Sequence, residues 1–124
     1  MFKLKRIYEE AAADDGLRVL VDRLWPRGMS KEKAEVDLWL KDIAPSPGLR
    51  QWFAHDPARW EEFRRRYEGE LYLKGDLLAI LRQKAKEETV TLLYAARDEN
   101  YNHVVVLKKF LENANKKPGK PGSR

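Results

Sequence analysis

Cysteine is absent from this chain, and so are long apolar runs. The lack of cysteine excludes disulfides, thiolate zinc sites and cysteine nucleophiles. No apolar stretch reaches the length of about 18 residues that a membrane-spanning helix needs. The first ten residues lack the apolar segment of a signal peptide. We therefore expect a cytoplasmic protein.

Phosphate-binding and metal-binding motifs are missing too. The sequence contains neither a GxxxxGK[ST] loop nor a GxGxxG turn. Its two histidines, His55 and His103, stand far apart and lack the paired spacing of metal ligands. Ser30 and Ser46 are each explained as a helix cap. The sequence thus indicates no metal, identifies no cofactor and disfavours nucleophilic catalysis.

The positive charge of the chain is unevenly distributed. Residues 113–124 contain four basic residues and no acid, whereas the rest contains 21 basic and 20 acidic residues. We predict a domain over residues 1–112 and a flexible Lys/Pro/Gly-rich tail over residues 113–124, because such a tail has little apolar surface to bury. A nearly neutral domain argues against nucleic-acid binding except through the tail. Charged residues make up 36% of the chain with both signs mixed, which is typical of an ion-paired thermophilic surface.

Apolar runs alternate with helical patterns along the domain. We predict strands near residues 2–8, 18–23 and 90–95, with residues 36–44 compatible with either a strand or a helix. This alternation predicts a single α/β domain in which helices surround a central parallel or mixed sheet of three to four strands.

Capping signals mark the predicted helices. The expected N-caps are Ser30, Ser46, Asp56, Asp76 and Asn102, and His103 would open the last helix. In the helix after Asp56, acid-first pairs at i,i+4 join Glu61 to Arg65 and Glu62 to Arg66. The run of three arginines there is therefore interpreted as a paired, solvated face rather than a phosphate grip.

The stretch RVLVDRLWPRG, residues 18–28, indicates a site. Its apolar strand turns polar at Asp22 and Arg23, and Trp25, Arg27 and Gly28 follow around a proline. Ligands of open α/β sheets bind beyond the carboxyl ends of the strands. The alternative is structural, with an internal Asp–Arg pair that braces the turn and Trp25 in the core.

The strand at 90–95 repeats this pattern, since Arg97 and Asp98 follow it. If both strands are central and parallel, their carboxyl ends share one edge, and Asp22 and His103 could exchange protons there. The alternative for His103 is a neutral ring packed on Tyr94 or Trp25. The predicted site has Asp22 and His103 as catalytic residues and Arg23, Trp25, Arg27, Tyr94, Arg97 and Asn102 as ligand-binding residues.

Three segments carry a resemblance to a known family: VDRLWPRGMSKE, LKDIAPSPGLRQWFAHDPARWEEFRRRYEGEL and TLLYAARDENYNHVVVLKKFL. Together they resemble the domain-of-unknown-function 488 family, in its short YeaO-like branch, over nearly the whole chain before the tail. The resemblance implies a small α/β domain and no established reaction. A longer branch of that family has cysteines around the final motif, with a Cys-His pair before the last helix. Here Tyr94 lies in the strand and Asn102-His103 stands at the pair, so thiol chemistry cannot be carried over.

Two functions are consistent with these observations. One is binding of a small phosphate- or carboxylate-bearing ligand at the strand ends, with acid/base chemistry by Asp22 and His103. The other is a non-catalytic interaction module whose basic tail contacts nucleic acid or an acidic partner. The oligomeric state is left open by the sequence.

Overall fold

The core of the molecule is a four-stranded sheet with all strands parallel, in the order β1-β4-β2-β3. The computed structural model describes residues 1–113. Its strands are β1 (Phe2–Arg6), β2 (Leu17–Leu20), β3 (Leu38–Trp39) and β4 (Val90–Tyr94). The predicted α/β class and the three predicted strands are confirmed, and the sheet is parallel rather than mixed. The predicted tail lies outside the described residues from 114 onward.

Five α-helices surround the sheet: α1 (Lys31–Ala34), α2 (Pro47–Phe53), α3 (Trp60–Tyr72), α4 (Gly75–Glu87) and α5 (His103–Glu112). Short 3-10 turns occupy Ala13–Asp15, Lys41–Ile43 and Pro57–Arg59. The ambiguous segment 36–44 therefore contains both kinds of structure, a two-residue strand and then a helical turn. No helix of residues 1–113 combines the length and apolar character needed to cross a membrane.

Four of the five predicted helix N-caps are present in the structure. Ser30, Ser46, Asp56 and Asn102 each accept a hydrogen bond from the backbone of the helical turn that follows. Asp76 does not cap α4, because the helix begins one residue earlier, at Gly75, and its N-cap is Lys74. A carboxylate in the first turn is still stabilised by the helix dipole.

The arginine run on α3 is paired, as the sequence predicted, but with one different partner. Arg66 pairs with Glu62 at i,i+4. Arg65 also pairs with Glu62, whereas Glu61 binds Arg64 at 2.7 Å and not Arg65. All three pairs lie on a largely exposed face, where each contributes little stability.

The two faces of the sheet are unequal. Val19, Val21 and Leu92 point into a large core shared with helices α2 to α5, whereas Leu20 and Leu93 belong to a small cluster covered by Ala34 of α1. Strand β4 is buried at all five positions, as expected for a strand covered on both sides. The connection after β2 thus leads to the small face and the connection after β4 leads to the large one. Neighbouring parallel strands whose connections diverge in this way form the crevice in which α/β ligand sites lie.

A buried ion cluster completes the small face. Asp15 is 1% exposed, and its carboxylate accepts hydrogen bonds from Lys5 Nζ at 2.9 Å, Arg18 Nη1 at 2.5 Å and the Ala12 N–H at 3.0 Å. The Arg18 guanidinium also donates to the Ala34 carbonyl at 2.6 Å, which ties α1 to β2. Burial raises the pKa of Asp15, but these donors more than offset it and lower the pKa to about 2.

This cluster predicts a dependence of stability on acid. Because the folded pKa of Asp15 is depressed, its contribution is complete above pH 4 and is lost as the pH falls toward 2. We expect Asp15→Asn to lower the free energy of unfolding at pH 7. The difference from wild type should shrink by about 2 kcal/mol between pH 5 and pH 2, as measured by urea unfolding. Asp14→Asn is the control, since its side chain is 83% exposed. Parallel pH profiles for wild type and Asp15→Asn would contradict the assignment.

Candidate functional site

The carboxyl ends of β2 and β4 are joined by the Asp22 side chain. Backbone pairing continues past β2, since the Val21 N–H donates to the Leu93 carbonyl at 3.1 Å. Asp22 Oδ2 then accepts a hydrogen bond from the Ala95 N–H at 2.9 Å. A carboxylate thereby replaces the next rung of the sheet, and the two strand ends are held side by side.

His103 reaches this point from α5. Asn102 caps the helix, and His103 is its first residue. Its Nε2 lies 2.9 Å from the Val21 carbonyl oxygen and 3.4 Å from Asp22 Oδ1. The structure therefore brings together the two residues that the sequence predicted as a proton-transfer pair.

The environment of His103 favours the neutral form of its ring. The ring packs edge-to-face on Tyr67 of α3, with centroids 5.9 Å apart, rather than on Tyr94 or Trp25. Burial lowers the pKa of His103, and Asp22 and the Val21 carbonyl oppose only part of that shift. A neutral imidazole with Nε2 as the donor can accept a proton or a hydrogen bond at Nδ1.

An open cleft of about 690 Å³ lies in front of this pair. The cleft is the space bounded by residues 22–27, 44–51, 95–96 and 101–103. Its lining includes the aromatic residues Tyr8, Trp25, Phe53, Phe63 and Tyr101. Of the predicted site residues, Asp22, Arg23, Trp25, Arg27, Asn102 and His103 line the cleft.

Arg23 braces one wall of the cleft. Its Nη2 donates to the carbonyls of Ala44 at 3.1 Å and Pro45 at 3.3 Å, and its acidic partner is Asp42, at 3.4 Å, rather than Asp22. Tyr67 Oη donates to the Ile43 carbonyl at 2.8 Å in the same segment. This wall is consequently pinned by side chains from two directions, and the Arg23 guanidinium is largely committed to it.

Trp25 and Arg27 follow on the same loop. Trp25 Nε1 donates to the Met29 carbonyl at 2.7 Å, and its ring meets Trp39 edge-to-face at 5.5 Å. Trp25 is half-buried, so it serves both the small core and the cleft. Gly28 adopts φ 76°, the left-handed turn that glycine permits. Arg27 is exposed at the cleft, and its guanidinium has no partner among residues 1–113.

Two predicted ligand-binding residues, Tyr94 and Arg97, do not line the cleft, and a third, Asn102, lines it but serves as a helix cap. Tyr94 is 4% exposed and packs in the large core, away from the cleft lining. Arg97 is exposed but does not line the cleft. Asn102 lines it, yet its Oδ1 accepts from the N–H groups of Val104 and Val105 and its Nδ2 donates to the Asp98 carbonyl. The N–H groups of Val104 and Val105 are thus capped from within the protein.

Two basic residues of the cleft lining, Arg50 and His55, were not among the predicted site residues. Arg50, on α2, lines the cleft, and its side chain has no partner among residues 1–113. His55, which the sequence placed on a surface loop, is exposed and also lines the cleft, with φ 57°. The sequence pattern shows only that Arg50 lies beside the apolar stripe of α2. Which neighbour that position faces depends on how α2 packs against the loop after β2.

The site shows no metal-binding arrangement. Within residues 1–113, no group of three or more His, Cys, Asp or Glu residues is placed to hold a metal ion. The arrangement offers cationic groups, a neutral imidazole oriented by a carboxylate, and aromatic walls, a combination suited to binding an anionic organic molecule.

The brace formed by Arg23 predicts a structural effect on mutation. Arg23→Ala should lower the free energy of unfolding by about 1–2 kcal/mol, because the carbonyls of the loop lose their donor. Arg27→Ala, on the same loop, is the matched control and should change stability by less than about 0.5 kcal/mol. Urea unfolding of both variants provides the measurement, and equal effects would show that Arg23 is not the brace.

Comparison with known proteins identifies the family. The chain matches DUF488-N3i, described as the inactive DUF488-N3 subclade, over residues 1–123. The uncharacterized protein Rv3073c of Mycobacterium tuberculosis is 43% identical over 109 residues, which cover 88% of this chain and 92% of the relative. The uncharacterized protein YeaO of Escherichia coli is 40% identical over 109 residues, covering 88% and 95%. No solved structure was found to match. The resemblance seen in the sequence is thus confirmed, and the chain belongs to the DUF488 family, in its inactive N3 subclade.

Proposed function

We propose that the cleft binds a small anionic ligand that bears a phosphate or carboxylate group. The observation that carries this proposal is the state of its arginines. Arg27 and Arg50 both line the cleft, and neither guanidinium has a hydrogen-bond or salt-bridge partner within residues 1–113. The single carboxylate of the lining, Asp22, is already engaged by Ala95 and His103. Guanidinium groups bind carboxylates and phosphates with paired hydrogen bonds.

The shape and stiffness of the cleft support the proposal. A volume of about 690 Å³ lies within the usual range of small-molecule sites. Its wall at residues 42–46 is held by Arg23, Tyr67, Lys74 and Glu70. A wall that is already ordered reduces the entropic cost of binding.

Asp22 and His103 raise the question of whether the site transfers protons as well as binding a ligand. The contact between His103 Nε2 and Asp22 favours acid/base chemistry, because a carboxylate that orients an imidazole is a common catalytic arrangement. The description of the subclade as inactive favours binding without turnover. We therefore propose binding as the primary function, with Asp22 and His103 as candidates for acid/base chemistry.

Arginine substitutions test the anion site. Arg27→Ala and Arg50→Ala should each weaken binding of inorganic phosphate or benzoate about tenfold, which corresponds to the loss of one charge-assisted hydrogen bond. Amide chemical-shift titration by NMR measures the affinity and maps the site. Arg97→Ala is the matched control, since it removes another exposed arginine, one that does not line the cleft. Equal weakening in Arg97→Ala would point to a general charge effect and contradict the proposal.

A second candidate function rests on the uneven charge. Residues 113–124 carry four of the five net positive charges in one-tenth of the chain. A basic segment beside a nearly neutral domain suits contact with nucleic acid or an acidic protein, through electrostatic attraction that weakens with salt.

Truncation after Ala114 separates the two functions. The melting temperature should stay nearly unchanged, because Lys, Pro and Gly bury little apolar surface. Binding of anions in the cleft should survive, whereas any salt-sensitive association with a nucleic-acid probe should be lost. Calorimetry and fluorescence anisotropy give the two readouts. A fall of many degrees in the melting temperature would show that the tail stabilises the fold.

A further inference from the structure

The two ring nitrogens of His103 have different surroundings. Nε2 faces two oxygen acceptors, the Val21 carbonyl at 2.9 Å and Asp22 Oδ1 at 3.4 Å. Nδ1 has no hydrogen-bond partner among residues 1–113. No side-chain nitrogen in that part of the chain is both buried and unpartnered, so Nδ1 keeps contact with solvent. His103 lines the cleft, which is the solvent-filled space beside it.

The Val21 carbonyl and the Asp22 carboxylate together determine which nitrogen carries the proton. Its carboxylate is fixed by the Ala95 N–H at 2.9 Å and cannot itself donate when ionised. Two acceptors around Nε2 therefore place the ring proton there, and a neutral ring then presents a lone pair at Nδ1. The other groups that face the ring are Arg50 of α2, whose charge disfavours protonation, and Tyr67 of α3, whose hydroxyl is donated to Ile43. Burial lowers the pKa of His103 further, which agrees with a neutral ring at pH 7.

We propose that Nδ1 of His103 accepts a hydrogen bond from the ligand, and that the cleft selects acids which also carry a hydroxyl or N–H donor. This inference rests on the proposed anion site and names its ligand class more closely. Asp22 acts here as a positioning residue. Together with the Val21 carbonyl, its Oδ1 atom holds the proton on Nε2, and this oxygen does not contact the ligand.

The combination of groups gives a physical reason for the selection. Arg27 and Arg50 offer donors only, so they attract any anion. Nδ1 offers an acceptor only, so a ligand without a donor leaves it desolvated and unpaired. A site that presents an acceptor to a ligand hydroxyl discriminates against analogues that lack the hydroxyl. Hydroxylated or amino-bearing carboxylic acids and phosphate esters with free hydroxyls satisfy both requirements.

The tautomer of His103 is the first test and needs no ligand. Long-range ¹H–¹⁵N NMR of the full chain at pH 7 should show a neutral ring with its proton on Nε2. His55, which is exposed, serves as the internal comparison. Asp22→Asn removes one of the two acceptors and should increase the share of rings protonated on Nδ1, while the Val21 carbonyl at 2.9 Å continues to favour Nε2. A wild-type ring that is charged, or protonated on Nδ1, overturns the inference and leaves the anion site standing.

Matched probes provide the second test. Benzoate and its 3-hydroxy and 4-hydroxy derivatives share one carboxylate and one ring and differ in a single donor. Wild type should bind at least one hydroxybenzoate about tenfold more tightly than benzoate, the size of effect expected for one hydrogen bond. His103→Phe keeps an aromatic ring against Tyr67 and should lose this preference while still binding benzoate. Asp22→Asn should weaken this preference and provides a second readout should His103→Phe fail to fold.

The outcomes distinguish the inference from the proposed function. Equal binding of benzoate and both hydroxybenzoates by wild type overturns the role of His103 alone. A preference that persists in His103→Phe and Asp22→Asn does the same. Failure of inorganic phosphate and all three carboxylate probes to bind overturns the proposed anion site, and the inference falls with it.

Discussion

The Asp22 carboxylate holds the cleft side of this molecule together. One oxygen accepts the Ala95 N–H at 2.9 Å, and the other lies 3.4 Å from His103 Nε2. The loop after β2, the end of β4 and the start of α5 therefore meet at one charged group. Within residues 1–113, the bond from the Val21 N–H to the Leu93 carbonyl is the last backbone hydrogen bond between the ends of β2 and β4, and the chain then leaves them toward opposite faces.

The opposite wall of the cleft, residues 42–46, is also held by side-chain hydrogen bonds to the backbone. The carbonyls of residues 42–45 accept hydrogen bonds from Arg23, Tyr67 and Lys74. Glu70 binds the backbone N–H and the hydroxyl of Ser46, which also caps α2. Polar backbone groups of an irregular segment need such partners when they are buried. As a result, α3 and the loop after β2 together determine the position of this wall.

Cations in the cleft divide into two kinds. Arg23 donates hydrogen bonds to backbone carbonyls. The guanidiniums of Arg27 and Arg50 have no hydrogen-bond or salt-bridge partner within residues 1–113. At the start of α5, Asn102 Oδ1 accepts hydrogen bonds from the Val104 and Val105 N–H groups. His103 differs from both kinds, because burial lowers the pKa of its imidazole and so favours the uncharged form.

Local chemistry made much of the fold predictable from the sequence alone. Apolar β-branched runs predicted β2 and β4, and short polar caps predicted the starts of α1, α2 and α5, because both signals act within a few residues. Parallel strands also made the meeting of Asp22 with His103 predictable, since their carboxyl ends share an edge. Only the tertiary structure decided the partners of long side chains: Arg23 with the loop at Ala44, His103 with Tyr67, and Arg50 at the cleft. Such choices depend on contacts between residues distant in the chain, and a sequence pattern states what a side chain can bind without stating which neighbour the packing will bring to it.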